Sequence, residues 1–260
     1  MTVGEITSSL SGLRVVVVGD IMLDEYIFGT ITRISPEAPV PVVARNETRA
    51  VPGGAANVAK NAAAFGGQIT LIGVVGEDDG ASALRASLAE LQDVDFHLVS
   101  DPTRITTRKT RIIANQSHQV LRVDHESTHL IDEATENEVV ACVEDALEDA
   151  DVLILSDYLK GVLSDSLAVR VLDRASQRGV ASAANPKPKS APYYRGAGLV
   201  SLNRIETQGL VGWDPQNLDH ALKAAQEARN KLSVGCVLVT MGDQGMAAAW
   251  EGGGATIRAP

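Results

Sequence analysis

Val51-Pro52-Gly53-Gly54-Ala55-Ala56-Asn57-Val58-Ala59-Lys60-Asn61-Ala62-Ala63-Ala64-Phe65-Gly66 is the stretch on which the reading of this chain turns. Two adjacent glycines, then small residues and an alanine-rich run closed by Gly66, predict a close backbone approach feeding the N-terminus of a helix. Such a helix start seats a polar or anionic ligand, because unpaired N–H groups and the positive end of the dipole point the same way. It also reads as a Gly-Gly turn before a buried helix packed close to a sheet. The flanking segments tip the balance toward a site.

Upstream, Val15-Val16-Val17-Val18 followed by Gly19-Asp20 predicts a strand buried on both faces of a parallel sheet. Asp20 and Asp24 fall at its carboxyl end, the edge where open α/β sheets bind ligands. Tyr26 to Ile34 and Val40 to Arg45, around Ser35-Pro36-Glu37-Ala38-Pro39, predict a hairpin or small side sheet. Downstream come a strand over Ile69 to Val75 and an amphipathic helix over Ala81 to Leu91. Thr106 to Ile113 and Val120 to Val123 alternate polar and apolar residues and pair with the hairpin as a lid sheet.

Helix and strand then alternate: Asp132 to Ala150 with Val152 to Leu155, Ser164 to Arg178 with Val180 to Ala183, and Leu218 to Leu232 with Cys236 to Thr240. Between the last two pairs, a connection through Pro186 and Pro188 leads to a strand over Leu199 to Leu202. This pattern predicts an α/β fold with a mostly parallel sheet covered on both faces. One domain over residues 1–260 is expected, with lid segments at about 25–45 and 104–124. After the Gly252-Gly253-Gly254 turn no closing helix follows, so the C-terminal part of the domain is expected to be missing.

A formal net charge of -10 over 260 residues argues against a nucleic-acid or membrane-surface partner, which would want a basic face. Aromatic residues make up 3%, too few for base-stacking platforms. Cys142 and Cys236 have no ligand-like spacing, and Met1 to Leu13 carries no apolar signal segment, so a cytoplasmic protein is expected. There is no G-x-x-x-x-G-K-[ST], no G-x-G-x-x-G after the first strand and no G-x-S-x-G elbow. His97, His118, His125, His129 and His220 lie in polar contexts that suit solvated side chains.

Polar groups recur where strands give out: Asp20 and Asp24, Asp157 and Lys160, Asn185 and Lys187, Asn203 and Glu206. Singly, each is a turn residue or cap; jointly they line one crevice, where carboxylates hold sugar hydroxyls or a metal and lysines hold phosphate. Thr240-Met241-Gly242-Asp243-Gln244-Gly245 either lets a nucleotide lie on bare backbone or turns a hairpin into Met246 to Trp250. Arg104, Arg108, Lys109 and Arg111 form a cationic cluster in which Lys109 and Arg111 share a strand face. It either guards an edge strand or closes over an anionic substrate.

Gly53-Gly54-Ala55-Ala56-Asn57, Asn203-Arg204-Ile205-Glu206 and Thr240 to Gly245 resemble the ribokinase-like (PfkB) sugar kinases. The likeness is closer to the bacterial heptose 7-phosphate kinases of ADP-heptose synthesis, through Val18 to Asp24, Arg33 to Val40, Thr107 to Ile113, Arg122-Val123-Asp124 and Leu155-Ser156-Asp157-Tyr158 with Lys160-Gly161. The resemblance implies a three-layer α/β/α fold and transfer of the γ-phosphoryl of ATP, with Mg2+, to the anomeric hydroxyl of a heptose 7-phosphate. It places the sugar on Asp24, Gly53, Gly54 and Asn57 with Asp20 and Asp157 nearby, and the distal phosphate on Lys109, Arg111 and Lys160. The nucleotide falls to Lys187, Asn203, Glu206, Thr240, Gly242 and Gly245, with Glu206 serving magnesium indirectly, and the lid to a homodimer contact.

Two departures stand out. The family's Gly-Ala-Gly-Asp motif, which carries the catalytic base, does not occur in residues 1–260 and is expected beyond Pro260. Asn185-Pro186-Lys187 stands where close relatives read Asp-Pro-Lys. The alternatives are a PfkB-type kinase of another sugar, or a sugar-phosphate-binding protein without the base.

Overall fold

The computed structural model describes Gly4, residues 8–115 and residues 118–259. Most of the polar Met1 to Leu13 start up to Thr7, and Gln116 and Ser117 inside the expected lid segment, lie outside the described residues. Nine strands form the main sheet, in the order β13, β12, β11, β10, β9, β8, β1, β4, β5. They are β1 (Arg14–Gly19), β4 (Gln68–Val75), β5 (Val94–Ser100), β8 (Val152–Ser156), β9 (Ala181–Asn185), β10 (Leu199–Asn203), β11 (Cys236–Thr240), β12 (Gly245–Trp250) and β13 (Gly253–Arg258). All neighbouring pairs are parallel except β11 with β12 and β12 with β13.

The valine run takes the central place because it buries both faces. Val16 and Val18 join the core under helices α3 (Glu133–Ala146), α4 (Asp165–Gln177), α5 (Arg204–Val211) and α6 (Leu218–Leu232). Val15 and Val17 join the opposite core under α1 (Ala55–Ala64) and α2 (Asp79–Ala89). The result is the expected three-layer α/β/α arrangement of a ribokinase-like fold. Short polar side chains start the helices by accepting an N–H of the first turn: Asp78 for α2, Asp132 for α3, Ser164 for α4, Asn203 for α5 and Asn217 for α6.

A second sheet of four strands runs in the order β3, β2, β6, β7, formed by β2 (Ile21–Ile34), β3 (Pro41–Gly54), β6 (Arg108–Ala114) and β7 (His118–His125). The hairpin strands are longer than the alternation suggests, because β2 begins directly after Asp20 and β3 runs on into the glycine pair. Gly53 and Gly54 are therefore the last residues of a strand, not a free turn, and α1 starts at Ala55. Thr240 to Gly245 is a hairpin connection with one short 3-10 turn, since β11 and β12 pair antiparallel. β5 and β13 are strands that the sequence reading leaves out, and the glycines at 253 and 254 belong to β13.

Gly54 sits at φ +60°, and a Cβ there would collide with the Asp20 carbonyl oxygen. Gly54→Ala is expected to cost about 2–4 kcal/mol, combining left-handed backbone strain with that clash. Thermal or urea unfolding of the variant, showing a midpoint well below the wild type, checks this.

Candidate active site

The four-stranded sheet carries a charged face whose Lys109 meets, at Glu126, the Lys160 loop that follows β8 of the main sheet. Strand register puts Asp24, Lys109 and Asp124 in one row, and Tyr26, Arg111 and Arg122 in the next. Arg111 Nη1 lies 2.5 Å from Asp24 Oδ1, and its guanidinium stands 5.3 Å from the centre of the Tyr26 ring. The hydrogen bond to Asp24 holds the Arg111 guanidinium above its usual pKa. A Cβ at Gly53 would strike the Asp24 carboxylate, so glycine is what lets β3 pass this close to β2. Asn57 lies exposed on the first turn of α1, beside the glycine pair.

Lys109 Nζ reaches Asp124 Oδ2 at 3.1 Å and Glu126 Oε2 at 3.2 Å, while Lys160 Nζ reaches Glu126 Oε1 at 2.7 Å. Burial pushes the Glu126 carboxyl up, but the bonds from Lys160 and Lys109 outweigh it and hold it below the ordinary carboxylate value. Lys109 and Arg111 thus share a face, as the alternation predicts. Arg104 does not belong with them: it is buried, 3.0 Å from Asp101, and donates to the carbonyls of Lys160 at 3.1 Å and His129 at 3.1 Å. It anchors the loop that carries Lys160.

Asp20 and Asp157 are each 1% exposed and lie beneath the crevice floor, not on it. Asp20 Oδ2 accepts the backbone N–H groups of Tyr158 at 2.7 Å and Lys160 at 3.0 Å, and Oδ1 accepts that of Val162 at 3.2 Å. Asp157 accepts from Leu159 N–H and from the Tyr194 hydroxyl, both at 2.8 Å. Desolvation raises the Asp20 pKa against the pull of its backbone donors. Burial and then the charge of Asp157 push the Tyr194 phenol far above its usual range. The loop so held turns sharply, with Leu159 at φ +56° and Gly161 at φ +88°.

Across the crevice, Asn203 and Glu206 form a reciprocal capping box on α5: each accepts the other's backbone N–H at 2.8 Å. The remaining oxygen of Glu206 takes Lys187 Nζ at 2.6 Å. Lys187 Nζ also stands 5.0 Å from the centre of the Tyr158 ring, so it bridges the two sides of the crevice. Beside α5 a cleft of about 570 Å³ is lined by Asn203, Ile205, Gln208, Thr240, Met241 and Gly242. Ile205 is 78% exposed there. Gly242, at φ +61°, borders open space, whereas Gly245 packs under the Ile257 carbonyl and shapes the hairpin.

These residues suit a phosphate chain, which can take N–H groups and the Lys187 charge. They offer magnesium no direct protein cage: among the described residues no group of three or more His, Cys, Asp or Glu side chains could hold a metal. Both Glu206 oxygens are engaged, so a metal here would rest on phosphate and water with Glu206 behind them. Glu126, Tyr26 and the Tyr158 ring escape the sequence reading as site residues. Only strand register, which sets Lys109 against Asp124 and leaves Glu126 two residues on, brings Glu126 to the lysines.

Residues 13–260 match the family described as pfkB family carbohydrate kinase. The chain is 42% identical over 247 residues to the bifunctional protein HldE of Azorhizobium caulinodans, covering 95% of this chain and 51% of that protein. It is 41% identical over 243 residues to that of Caulobacter vibrioides, covering 93% and 49%. The chain spans about half the length of these curated relatives. Among solved structures, phosphofructokinase-2 from Escherichia coli in complex with fructose-6-phosphate superposes with a TM-score of 0.75 at 20% identity, covering 96% of this chain and 80% of that one. Arabidopsis thaliana ribokinase complexed with ribose and ATP gives 0.69 at 17%, covering 95% and 77%.

Because the folded-state pKa of Asp20 is raised, its contribution is fully present below the unfolded value, 3.8, and is lost as pH rises through the folded value. Asp20→Asn, which turns an N–H2 toward backbone donors, is expected to lose about 1–3 kcal/mol. That deficit should be largest in acid and shrink as pH rises above 3.8, measured as the difference between urea midpoints of the two proteins across a pH series.

Proposed function

We propose, because this chain belongs to the pfkB family of carbohydrate kinases, that it moves the γ-phosphoryl group of ATP to the anomeric hydroxyl of D-glycero-D-manno-heptose 7-phosphate, giving the 1,7-bisphosphate. The observation that carries this reading is the pair of lysines, Lys109 and Lys160, brought together from two sheets onto one anion beside Asp24 and the glycine pair. A sugar with a phosphate far from its reacting hydroxyl fits such a site. The runs Arg33 to Val40 and Ser156-Asp157-Tyr158, which resemble the heptose 7-phosphate kinases, point to the same acceptor.

In this reading Asp24, Asn57 and the bare backbone at Gly53 and Gly54 hold sugar hydroxyls. Asp20 and Asp157 act from below, by fixing the loop over Tyr158 to Val162. Lys109, Lys160 and Arg111 take the distal phosphate. ATP lies along Asn203, Thr240 and Gly242, with Gly245 shaping the hairpin behind them and not touching the nucleotide, and magnesium, when bound, neutralises charge on its phosphates with Glu206 behind it. In this reading Lys187, which lies 5.0 Å from the centre of the Tyr158 ring and 2.6 Å from Glu206, adds its charge to the phosphates of the nucleotide. Phosphoryl transfer asks mainly for positioning and charge neutralisation, which these groups supply. The lid sheet exposes Ile34, Leu121 and Val123, with Val40 exposed in the connection between β2 and β3, and we propose that two copies pair through it.

The test is turnover by the full-length protein that carries this chain, with ATP, magnesium and the heptose 7-phosphate, followed by phosphorus NMR for a new anomeric phosphate. Turnover with another sugar alone sinks the substrate assignment. Asp24→Ala is expected to weaken sugar binding more than ATP binding in calorimetry; equal losses contradict its placement. Lys187→Met should lower kcat by roughly two to three orders of magnitude with little change in sugar affinity.

A further inference from the structure

Lys109 belongs to β6 of the lid, and Lys160 to the loop after β8 of the main sheet, yet both end on Glu126. One ammonium sits on each carboxylate oxygen, at 3.2 Å and 2.7 Å. The edge of a phosphate group presents two oxygens in the same way, with more charge behind them. We propose that Glu126 is an internal anion occupying the distal-phosphate position, and that the phosphate of an incoming substrate displaces it. This inference rests on the reading that the acceptor is a sugar phosphate.

Three features separate Glu126 from the other carboxylates of the network. Asp124 lies within β7, directly opposite Lys109 in the ladder, and takes two hydrogen bonds from Arg122 at 2.8 Å and 3.0 Å. Glu126 lies past the end of β7, in a segment without regular structure, so it can swing away without breaking a ladder bond. Charge gives the second feature. Lys109, Arg122 and Lys160 outnumber Asp124 and Glu126 by one charge, and removing Glu126 raises that excess to two and leaves Lys160 with no carboxylate partner among the described residues.

The third feature is what the two lysines do without an anion. Two ammonium groups converging on one point repel each other, so the position calls for an anion between them, which Glu126 supplies until a phosphate takes its place. An anion of higher charge replaces the carboxylate, and an uncharged sugar has no group with which to do so.

The probe is inorganic phosphate, titrated calorimetrically into the full-length protein and into its Glu126→Gln and Glu126→Ala variants. Both variants are expected to bind phosphate about tenfold more tightly, the worth of one charge-assisted hydrogen bond released from competition. Lys160→Met placed on Glu126→Gln should abolish the gain. In steady state the KM for heptose 7-phosphate should fall in Glu126→Gln while the KM for ATP stays level. Unchanged or weaker phosphate binding in the two variants overturns the inference, since that is how a residue tying lid to main sheet would behave. Tighter phosphate binding in a protein that turns over no heptose phosphate would instead remove the acceptor assignment and leave the internal anion standing.

Discussion

Asp20 is the fixed point of this molecule. Its backbone N–H donates to Ser156 at the end of β8, its carbonyl accepts the first N–H of α1 at 2.9 Å, and its carboxylate collects three N–H groups from the Tyr158 to Val162 loop. One residue thereby joins the central strand, the helix after the glycine pair and the loop that carries Lys160. A buried carboxylate is costly unless its oxygens are satisfied, and here backbone donors satisfy them. The glycine pair follows from the same arrangement: Gly54 has no side chain because the Asp20 carbonyl occupies the space. What looks at first like a ligand loop is a consequence of packing around Asp20, and both glycines of the pair are buried there.

Above that floor the chemistry is a matter of local charge concentration. An acidic chain places Lys109, Arg111, Lys160 and Lys187 around one crevice and gives each a carboxylate partner: Asp124 and Glu126, Asp24, Glu126, and Glu206. Each cation is thereby held in a fixed direction by its carboxylate partner. The helix-capping role of Asn203 and Glu206 serves the same end. Their mutual bonds fix the start of α5, and the one remaining carboxylate oxygen then holds Lys187 at 2.6 Å.

Much of the fold is legible from residue type alone. Val15 to Val18 stands out because a strand buried on both faces needs a continuous apolar run, Cys236 to Thr240 because its run is apolar although only Val237 and Val239 are buried, and Leu218 to Leu232 because its apolar spacing is helical. β5 is missed because it sits at the sheet edge as Val94-Asp95-Phe96-His97-Leu98, alternating too briefly to stand out. β13 is missed because its first residues are glycines, which read as a turn until β12 pairs with them. Within the site, the crevice edge and the shared face of Lys109 and Arg111 are readable from period and topology. The burial of Asp20, Asp157 and Arg104 is not, because it depends on where the Tyr158 to Val162 loop folds back. The capping box of Asn203 and Glu206 has a known sequence signature, a short polar residue followed three later by Glu, that explains the pair before any ligand is invoked.

Asn185 shows how much one side chain at a strand end carries. Its side-chain Nδ2 donates to the Ser201 carbonyl of β10 at 2.8 Å, a bond an ionised carboxylate cannot make. The next residue, Pro186, has no N–H to offer the neighbouring strand, so the amide supplies a donor just where the ladder between β9 and β10 lapses after Ala184. Two residues on, Lys187 needs a fixed backbone if its ammonium is to sit between Tyr158 and Glu206. An aspartate at 185 would add charge near the crevice but leave that turn held by fewer bonds. The asparagine therefore exchanges electrostatics for positioning, and it does so at the strand end from which the crevice draws its bridging cation.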